Sequence, residues 1–220
     1  MLSADCQLDC PILGLTGPSG AGKTTAARML ESLGCAVIDC DLLAREIVLP
    51  GSPVLQKLAG RFGEDIICKG GTLDRALLAR RAFESEKARR DLNSITHPAI
   101  TSLAMESIKA LQGFPAIVLD AAALLESELA ALCGHILIIT APEDLRLQRI
   151  AARGGAAEEA ARRRVEAQRH MDYAGAGYTI INNEGSEAAL RDEIEKAFRA
   201  VAGGPGDSPG GPAAALPPAD

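Results

Sequence analysis

One stretch near the amino terminus limits what this chain can fold into. Residues Gly17–Thr24 read GPSGAGKT and fit the pattern G-x-x-x-x-G-K-[ST]. The apolar run Ile12–Leu15 precedes this stretch and a helical pattern, Thr25–Leu30, follows it. Glycines let the backbone curl until successive N–H groups converge on a phosphate, and the helix N-terminus adds unpaired donors. The motif therefore predicts a phosphate-binding loop between a first strand and a first helix; we call Gly17–Thr24 the phosphate loop.

The phosphate loop supplies candidate ligands for a nucleoside triphosphate. Lys23 can reach the β- and γ-phosphates, and Thr24 can offer a hydroxyl to Mg²⁺. The predicted phosphate-binding set is Gly17, Pro18, Ser19, Gly20, Ala21, Gly22, Lys23, Thr24 and Thr25. The alternative is a glycine-rich turn that binds nothing, which the flanking strand and helix disfavour.

Five apolar runs alternate with helical patterns along the chain. After the first run, they lie at residues 35–38, 116–120, 135–140 and 178–181. This alternation predicts an α/β fold, a five-stranded and mostly parallel sheet with helices on both faces. Ligands of such sheets bind beyond the carboxyl ends of the strands. The phosphate loop, Asp39, Asp41 and Asp120 are all predicted at those ends, around one crevice.

The chain between its second and third strands is long and lacks a convincing strand. We predict a helical lobe over about residues 50–112, because a crossover helix needs far fewer residues. Such a lobe can cover a second substrate. The folded domain is expected over residues 11–202, with a lid at about 149–172. Residues 1–10 are expected to be an N-terminal extension and 203–220 a disordered Gly/Pro/Ala tail.

Two carboxylates follow the second predicted strand. On an extended stretch, Asp39 and Asp41 would project to the same side. A phosphoryl acceptor hydroxyl needs a carboxylate that orients it and accepts its proton. Alternatively, Asp41 only caps a helix that begins at Leu42, and the residues leave both roles open. Arg45, one helical turn later, could face the same crevice.

Three arginines, Arg146, Arg149 and Arg153, are spaced i, i+3, i+7 just before Gly154-Gly155. On a helix this spacing forms one stripe. Guanidinium groups on a mobile segment suit a lid that closes over a triphosphate, excludes water and stabilises the charge of phosphoryl transfer. The alternative is a solvated charged face.

His97 and Pro98 are expected to open a long helix, where a capping or packing role for His97 competes with a binding role.

Charge and composition restrict the partners. The net charge is −6, from 23 basic and 29 acidic residues, which disfavours a broad nucleic-acid surface. No apolar run approaches the ~18 residues that a membrane helix needs. Six scattered cysteines contain no C-x-x-C pair and so lack metal-ligand spacing. We expect a cytoplasmic monomer or weak homo-oligomer that binds small molecules.

Taken together, these residues resemble the dephospho-coenzyme A kinase family. The similar segments follow the family order from about residue 11 to 200: Leu15–Thr24, Asp39–Arg45, Gly71–Arg75 with Leu78 and Phe83, Ile95–Ile100, Asp120–Glu126, Gln148–Arg153 and Ile180–Asn183. The resemblance implies a P-loop sheet core, a lid and a helical lobe that binds the acceptor. It also implies ATP-dependent phosphorylation of the ribose 3′-hydroxyl of dephospho-coenzyme A, the last step of coenzyme A synthesis.

The resemblance also implies roles for individual residues. Asp41 would be the base, with Lys23, Arg149 and Arg153 as the other catalytic residues. Thr24 would bind Mg²⁺, with Asp120 or Asp41 contributing through water. The acceptor side would be formed by Asp39, Arg45, Arg75, His97 and Leu124.

The sequence departs from the family pattern at three positions. Cys40 stands where the family has alanine, Ala122 where it has proline, and Gly177 where it has an acid. The chain could instead be another P-loop small-molecule kinase that acts on a nucleoside or nucleotide. A non-catalytic nucleotide-binding protein is the third alternative, although neither N-K-x-D nor L-S-G-G-Q occurs.

Overall fold

A five-stranded sheet forms the centre of the fold. The computed structural model describes residues 10–111, 113–152, 165 and 178–202. The strands are β1 Ile12–Thr16, β2 Ala36–Asp39, β3 Ile117–Asp120, β4 His135–Thr140 and β5 Tyr178–Asn182. Their order is β2-β3-β1-β4-β5, and β1 runs parallel to β3 and β4, as β4 does to β5. The predicted α/β fold is confirmed.

Helices connect the parallel strands. They are α1 Lys23–Ser32, α2 Cys40–Glu46, α3 Pro53–Phe62, α4 Arg75–Ala82, α5 Glu86–Ala110, α6 Glu143–Ala152 and α7 Glu187–Ala202. Short 3₁₀ helices occupy Glu64–Ile66, Leu124–Glu126 and Glu128–Leu132. The last two lie between β3 and β4. No helix in the described ranges is long and apolar enough to cross a membrane.

The described chain divides into two compact units. One, the sheet unit, includes residues up to Ile38 and from Leu111 onward; the other, the helical unit, is Asp39–Ala110. In the sheet unit, α1 packs against α7 and against one face of the sheet. Leu13, Leu15 and Leu30 are fully buried there, and each contributes about 1.5–3 kcal/mol by leaving water. The strands read as continuous apolar runs because both faces of the sheet are covered.

The helical unit has its own core. Helices α2, α3 and α4 each pack against α5, around Leu58, Phe62 and Ile66. Arg81 donates to both carboxylate oxygens of Asp65 and to the carbonyl of Phe62. Beyond Asp39, the described β-pairing of this unit is one isolated antiparallel bridge between Ile67 and Leu73. The unit includes α2, which lies outside the lobe predicted from about residue 50.

Helix α5 differs from the sequence-based expectation. His97 and Pro98 were expected to open a helix, but they lie inside a single helix of 25 residues, so this boundary was wrong. A proline inside a helix costs about 3 kcal/mol relative to alanine, because it lacks a donor and crowds the preceding turn. Burial of Ala104 and Ile108, together with packing of Leu92 in the unit's core, favours the continuous helix.

Candidate active site

The phosphate loop leads directly into α1. Gly22 is the N-cap residue, with φ of 105°, and no side chain caps the helix. A φ in this range favours glycine, which explains the fixed glycine of the motif. No side chain competes for the first N–H groups of α1, so those of Lys23 and Thr24 and the positive dipole end can bind an anion, while the Thr25 N–H donates to the Gly22 carbonyl at 3.0 Å.

Lys23 contacts the end of a neighbouring strand. Its ammonium forms an ion pair with Asp120, the last residue of β3. The exposed fractions of the two side chains are 18% and 12%, so the pair is largely shielded from water. The Thr24 side chain, by contrast, is exposed. The structure thus groups Lys23, Thr24 and Asp120 at the carboxyl ends of β1 and β3.

Side chains from α6 and from the end of β5 hold the carbonyl groups of the phosphate loop. Arg146 Nε donates to the Ser19 carbonyl at 2.9 Å. The Ala21 carbonyl accepts from Asn183 Nδ2 at 2.8 Å and from Arg149 Nη1 at 3.4 Å. Arg149 Nη2 also donates to the Asn183 carbonyl at 3.1 Å. Arg146 and Asn183 are each only 7% exposed, so their hydrogen bonds to the phosphate loop lie inside the sheet unit.

Of the residues that hold the phosphate loop, Arg149 was predicted as a catalytic residue and Asn183 was not. Arg149 stays a predicted catalytic residue, and in this structure its guanidinium binds backbone carbonyls. Arg153 and most of the predicted lid lie outside the described residues. Asn183 belongs to the segment Ile180–Asn183 that resembles the family, but no role was predicted for it, because only the fold places its side chain beside the Ala21 carbonyl.

In the helical unit, the structure corrects the interpretation of the two acids. Asp39 is the N-cap of α2, and its Oδ1 accepts from the N–H groups of Asp41 at 2.9 Å and Leu42 at 3.1 Å. The alternative in which Asp41 caps this helix is therefore wrong, and so is the extended arrangement of the two acids, because Asp41 is already helical. The Asp41 side chain is exposed and has no hydrogen bond within residues 39–110.

The other predicted acceptor-side residues have different surroundings. Arg45, in the last turn of α2, and Arg75, the first residue of α4, are exposed. His97 is half-buried within α5, which removes its predicted role at a helix start. Leu124 is fully buried in the sheet unit, where a Cβ atom at Gly14 would overlap it. The acceptor-side role of Leu124 stays a prediction, and in this structure its side chain belongs to the core.

The parallel sheet, its first strand entering a glycine-rich loop, and Lys23 and Thr24 opening the next helix define the P-loop NTPase class of fold. A family model for dephospho-CoA kinase matches residues 11–188. The chain therefore belongs to the dephospho-CoA kinase family.

Individual relatives agree with this family. The dephospho-CoA kinase of Syntrophotalea carbinolica is 42% identical over 187 residues, which cover 83% of this chain and 88% of the relative. That of Carboxydothermus hydrogenoformans is 37% identical, with 86% and 93% covered. The solved dephospho-CoA kinase structure from Campylobacter jejuni is 25% identical, with a TM-score of 0.61 and coverage of 87% of this chain and 97% of that one.

Proposed function

We propose that this chain transfers the γ-phosphoryl group of ATP to the ribose 3′-hydroxyl of dephospho-coenzyme A, giving coenzyme A and ADP. The observation that carries the proposal is a family match that extends over residues 11–188 and so includes both the phosphate loop and α2. Its partners would be these two small molecules in the cytoplasm, in keeping with a net charge of −6.

The proposed reaction is an in-line displacement at phosphorus. The acceptor oxygen forms a bond to the γ-phosphorus while the bond from that phosphorus to the β,γ-bridging oxygen breaks, and ADP leaves with that electron pair. The hydroxyl proton passes to Asp41. Such a transition state gains little from covalent chemistry, so positioning and charge stabilisation by the protein dominate catalysis.

The local structure supports Asp41 as the base. Asp39 already caps α2, so the Asp41 carboxylate is not needed for capping. It is solvent-exposed, ready to receive a hydroxyl. We propose Asp39, Arg45, Arg75 and His97 as the acceptor-binding residues of the same unit, and Arg149 and Arg153 as arginines that stabilise the transferred phosphoryl group.

The residues of the sheet unit fit a magnesium ion. Among the described residues, no group of three or more His, Cys, Asp or Glu side chains could hold a metal ion by itself. Mg²⁺ in kinases commonly binds substrate phosphates and few protein groups, so this donor set suits it. Thr24 would hold the ion through its hydroxyl and Asp120 through water. When bound, Mg²⁺ neutralises charge on the phosphates.

A substrate panel tests the proposal. We expect ADP release in a coupled assay to require dephospho-coenzyme A and to yield coenzyme A, with adenosine and nucleoside monophosphates inactive. Preference for a nucleoside or nucleotide would support the alternative kinase and overturn the proposal. The panel separates the two because each kinase leaves a different phosphorylated product, which mass spectrometry identifies.

Asp41→Asn tests the base. We expect kcat to fall by about 10³-fold, since a proton acceptor typically contributes 10²–10⁴-fold. The dissociation constant of ATP should stay within twofold, because the phosphate loop is intact. Asp144→Asn, which changes an exposed acid in α6, is the matched control. An Asp41→Asn enzyme that keeps most of its turnover would exclude Asp41 as the base.

A further inference from the structure

The peptide that joins Ala21 to Gly22 has a defined orientation. A trans peptide is planar, so its C=O and N–H groups point in opposite directions. Asn183 Nδ2 and Arg149 Nη1 both donate to the Ala21 carbonyl. The N–H group of Gly22 therefore points away from Asn183 and Arg149, toward the opposite side of the loop backbone.

This orientation has to be imposed, because the backbone around the peptide is permissive. Gly20 and Gly22 flank Ala21 and have φ values of 82° and 105°. Rotation of the Ala21–Gly22 peptide changes ψ of Ala21 and φ of Gly22. Glycine populates positive and negative φ about equally, so Gly22 offers little steric resistance to this rotation. A rotated peptide would direct the Ala21 carbonyl, rather than the Gly22 N–H, toward an anion in the loop. The anion would then face a carbonyl oxygen, which repels it, in place of an N–H group, which attracts it.

Asn183 is itself firmly held. Its backbone N–H donates to the Thr140 carbonyl at 2.7 Å, which ties it to β4, and its carbonyl accepts from Arg149 at 3.1 Å. The acceptor at 2.8 Å from the amide also fixes which amide atom faces the loop, since only nitrogen can donate. A Cβ atom at Gly22 would overlap Nδ2, so glycine at position 22 is what lets the amide approach.

We propose that Asn183 is a positioning residue for the phosphate loop. Its amide keeps the Ala21 carbonyl turned outward and so presents the Gly22 N–H to the phosphates of the nucleotide. Arg149 assists at the longer distance, and Arg146 acts in the same way on the Ser19 carbonyl. Asn183 acts through the backbone and does not touch the substrate. The inference rests on the proposed function only for the identity of the nucleotide.

The experiment measures phosphate binding without the acceptor. Isothermal titration with ADP and with inorganic triphosphate, each with Mg²⁺, is carried out on the full chain and on Asn183→Ala. Loss of one hydrogen bond to an oriented carbonyl should raise both dissociation constants by the same factor, about tenfold. In kinetics, KM for ATP should rise by a similar factor, kcat at saturating ATP should fall less than threefold, and KM for the acceptor should not move.

Controls distinguish this role from the alternatives. Asn182→Ala changes the exposed neighbour, whose side chain bonds Glu184, and should leave both dissociation constants within twofold. Weaker binding of ADP with unchanged binding of triphosphate would show that Asn183 contacts the base, and would overturn the proposal. A lowered melting temperature with unchanged affinities would show a purely structural role, with the same consequence. Should Asn183→Ala fail to fold, Asn183→Ser, which keeps a shorter donor, is expected to restore folding and part of the affinity.

The same experiments distinguish a failure of the proposed function from a failure of the proposed role of Asn183. If the chain does not phosphorylate dephospho-coenzyme A but Asn183→Ala still weakens triphosphate binding, only the proposed function fails. If the phosphorylation occurs but triphosphate binding is unchanged, only the role of Asn183 fails.

Discussion

At the scale of residues, the ion pair between Lys23 and Asp120 links the phosphate loop to β3. Both side chains are largely shielded from water, so each charge depends on its partner more than a surface ion does. A bound triphosphate brings further negative charge to the same ammonium group. We therefore expect a bound triphosphate to change the electrostatic environment of Lys23.

Replacing Lys23 tests this view. We expect Lys23→Met to lower kcat/KM for ATP by about 10²-fold or more, the usual effect of removing a donor from a transition-state oxyanion. Lys57→Met removes the same positive charge at an exposed position in α3 and should leave the kinetics within twofold. Steady-state kinetics with varied ATP provide the measurement. A Lys23→Met enzyme with near-normal kcat/KM would contradict a phosphate-binding role for this lysine.

The residues of the phosphate loop could be predicted from sequence because they are contiguous. Glycines at fixed spacing identify the loop, and no distant part of the chain is needed to recognise it. The side chains that hold the loop are different. Arg146 and Asn183 lie 127 and 162 positions from the carbonyls they bind, at Ser19 and Ala21. Only the order of the sheet brings these segments together.

At the scale of elements, α2 shows that the start of a helix decides which of two nearby acids caps it. The strand ends at Asp39, whose carboxylate accepts from two N–H groups of the first turn of α2. The sequence D-C-D contains two acids, and only one of them caps α2. A shift of two residues in the start of the helix, from Leu42 to Cys40, decides which acid caps it and which does not.

Substitutions of Asp39 separate stability from acceptor binding. Asp39→Ala should destabilise the fold by about 1 kcal/mol, because α2 loses its cap. Asp39→Ser keeps a capping oxygen and removes the charge, so it should lose only a few tenths of a kcal/mol while raising KM for dephospho-coenzyme A if the charge binds the acceptor. Urea unfolding gives the free energies. Equal destabilisation by Ala and Ser would show that the cap contributes nothing.

Helix α5 marks the limit of sequence-based prediction at this scale. Proline is common at the first position of a helix, yet His97 and Pro98 lie inside α5. Tertiary packing outweighed this local signal for a helix start, since α2, α3 and α4 all pack on this helix. Such contacts depend on the whole helical unit and leave no mark in the local sequence.

At the scale of the whole molecule, proton-linked groups are present in both units. In the sheet unit, burial lowers the pKa of His135, whose Nε2 lies 2.8 Å from Thr179 Oγ1. In the helical unit, the hydrogen bond from Arg81 lowers the pKa of Asp65, and hydrogen bonds from Arg61 and Lys87 lower that of Asp91. All three groups bind a proton more readily in the unfolded chain than in the folded one. Each therefore makes the protein less stable as the pH falls.

The pH ranges of the two effects differ, which makes them separable. Unfolded histidine takes up its proton near pH 6.5, so the His135 contribution is complete above about pH 6.5 and is lost as the pH falls toward its lowered pKa in the folded state. The aspartate contributions are complete above about pH 4 and are lost below it. We expect the melting temperature to fall in two stages, measured by calorimetry between pH 8 and 3. His135→Gln should remove the first stage and Asp65→Asn with Asp91→Asn should reduce the second, while an unchanged first stage in His135→Gln would contradict the assignment to His135.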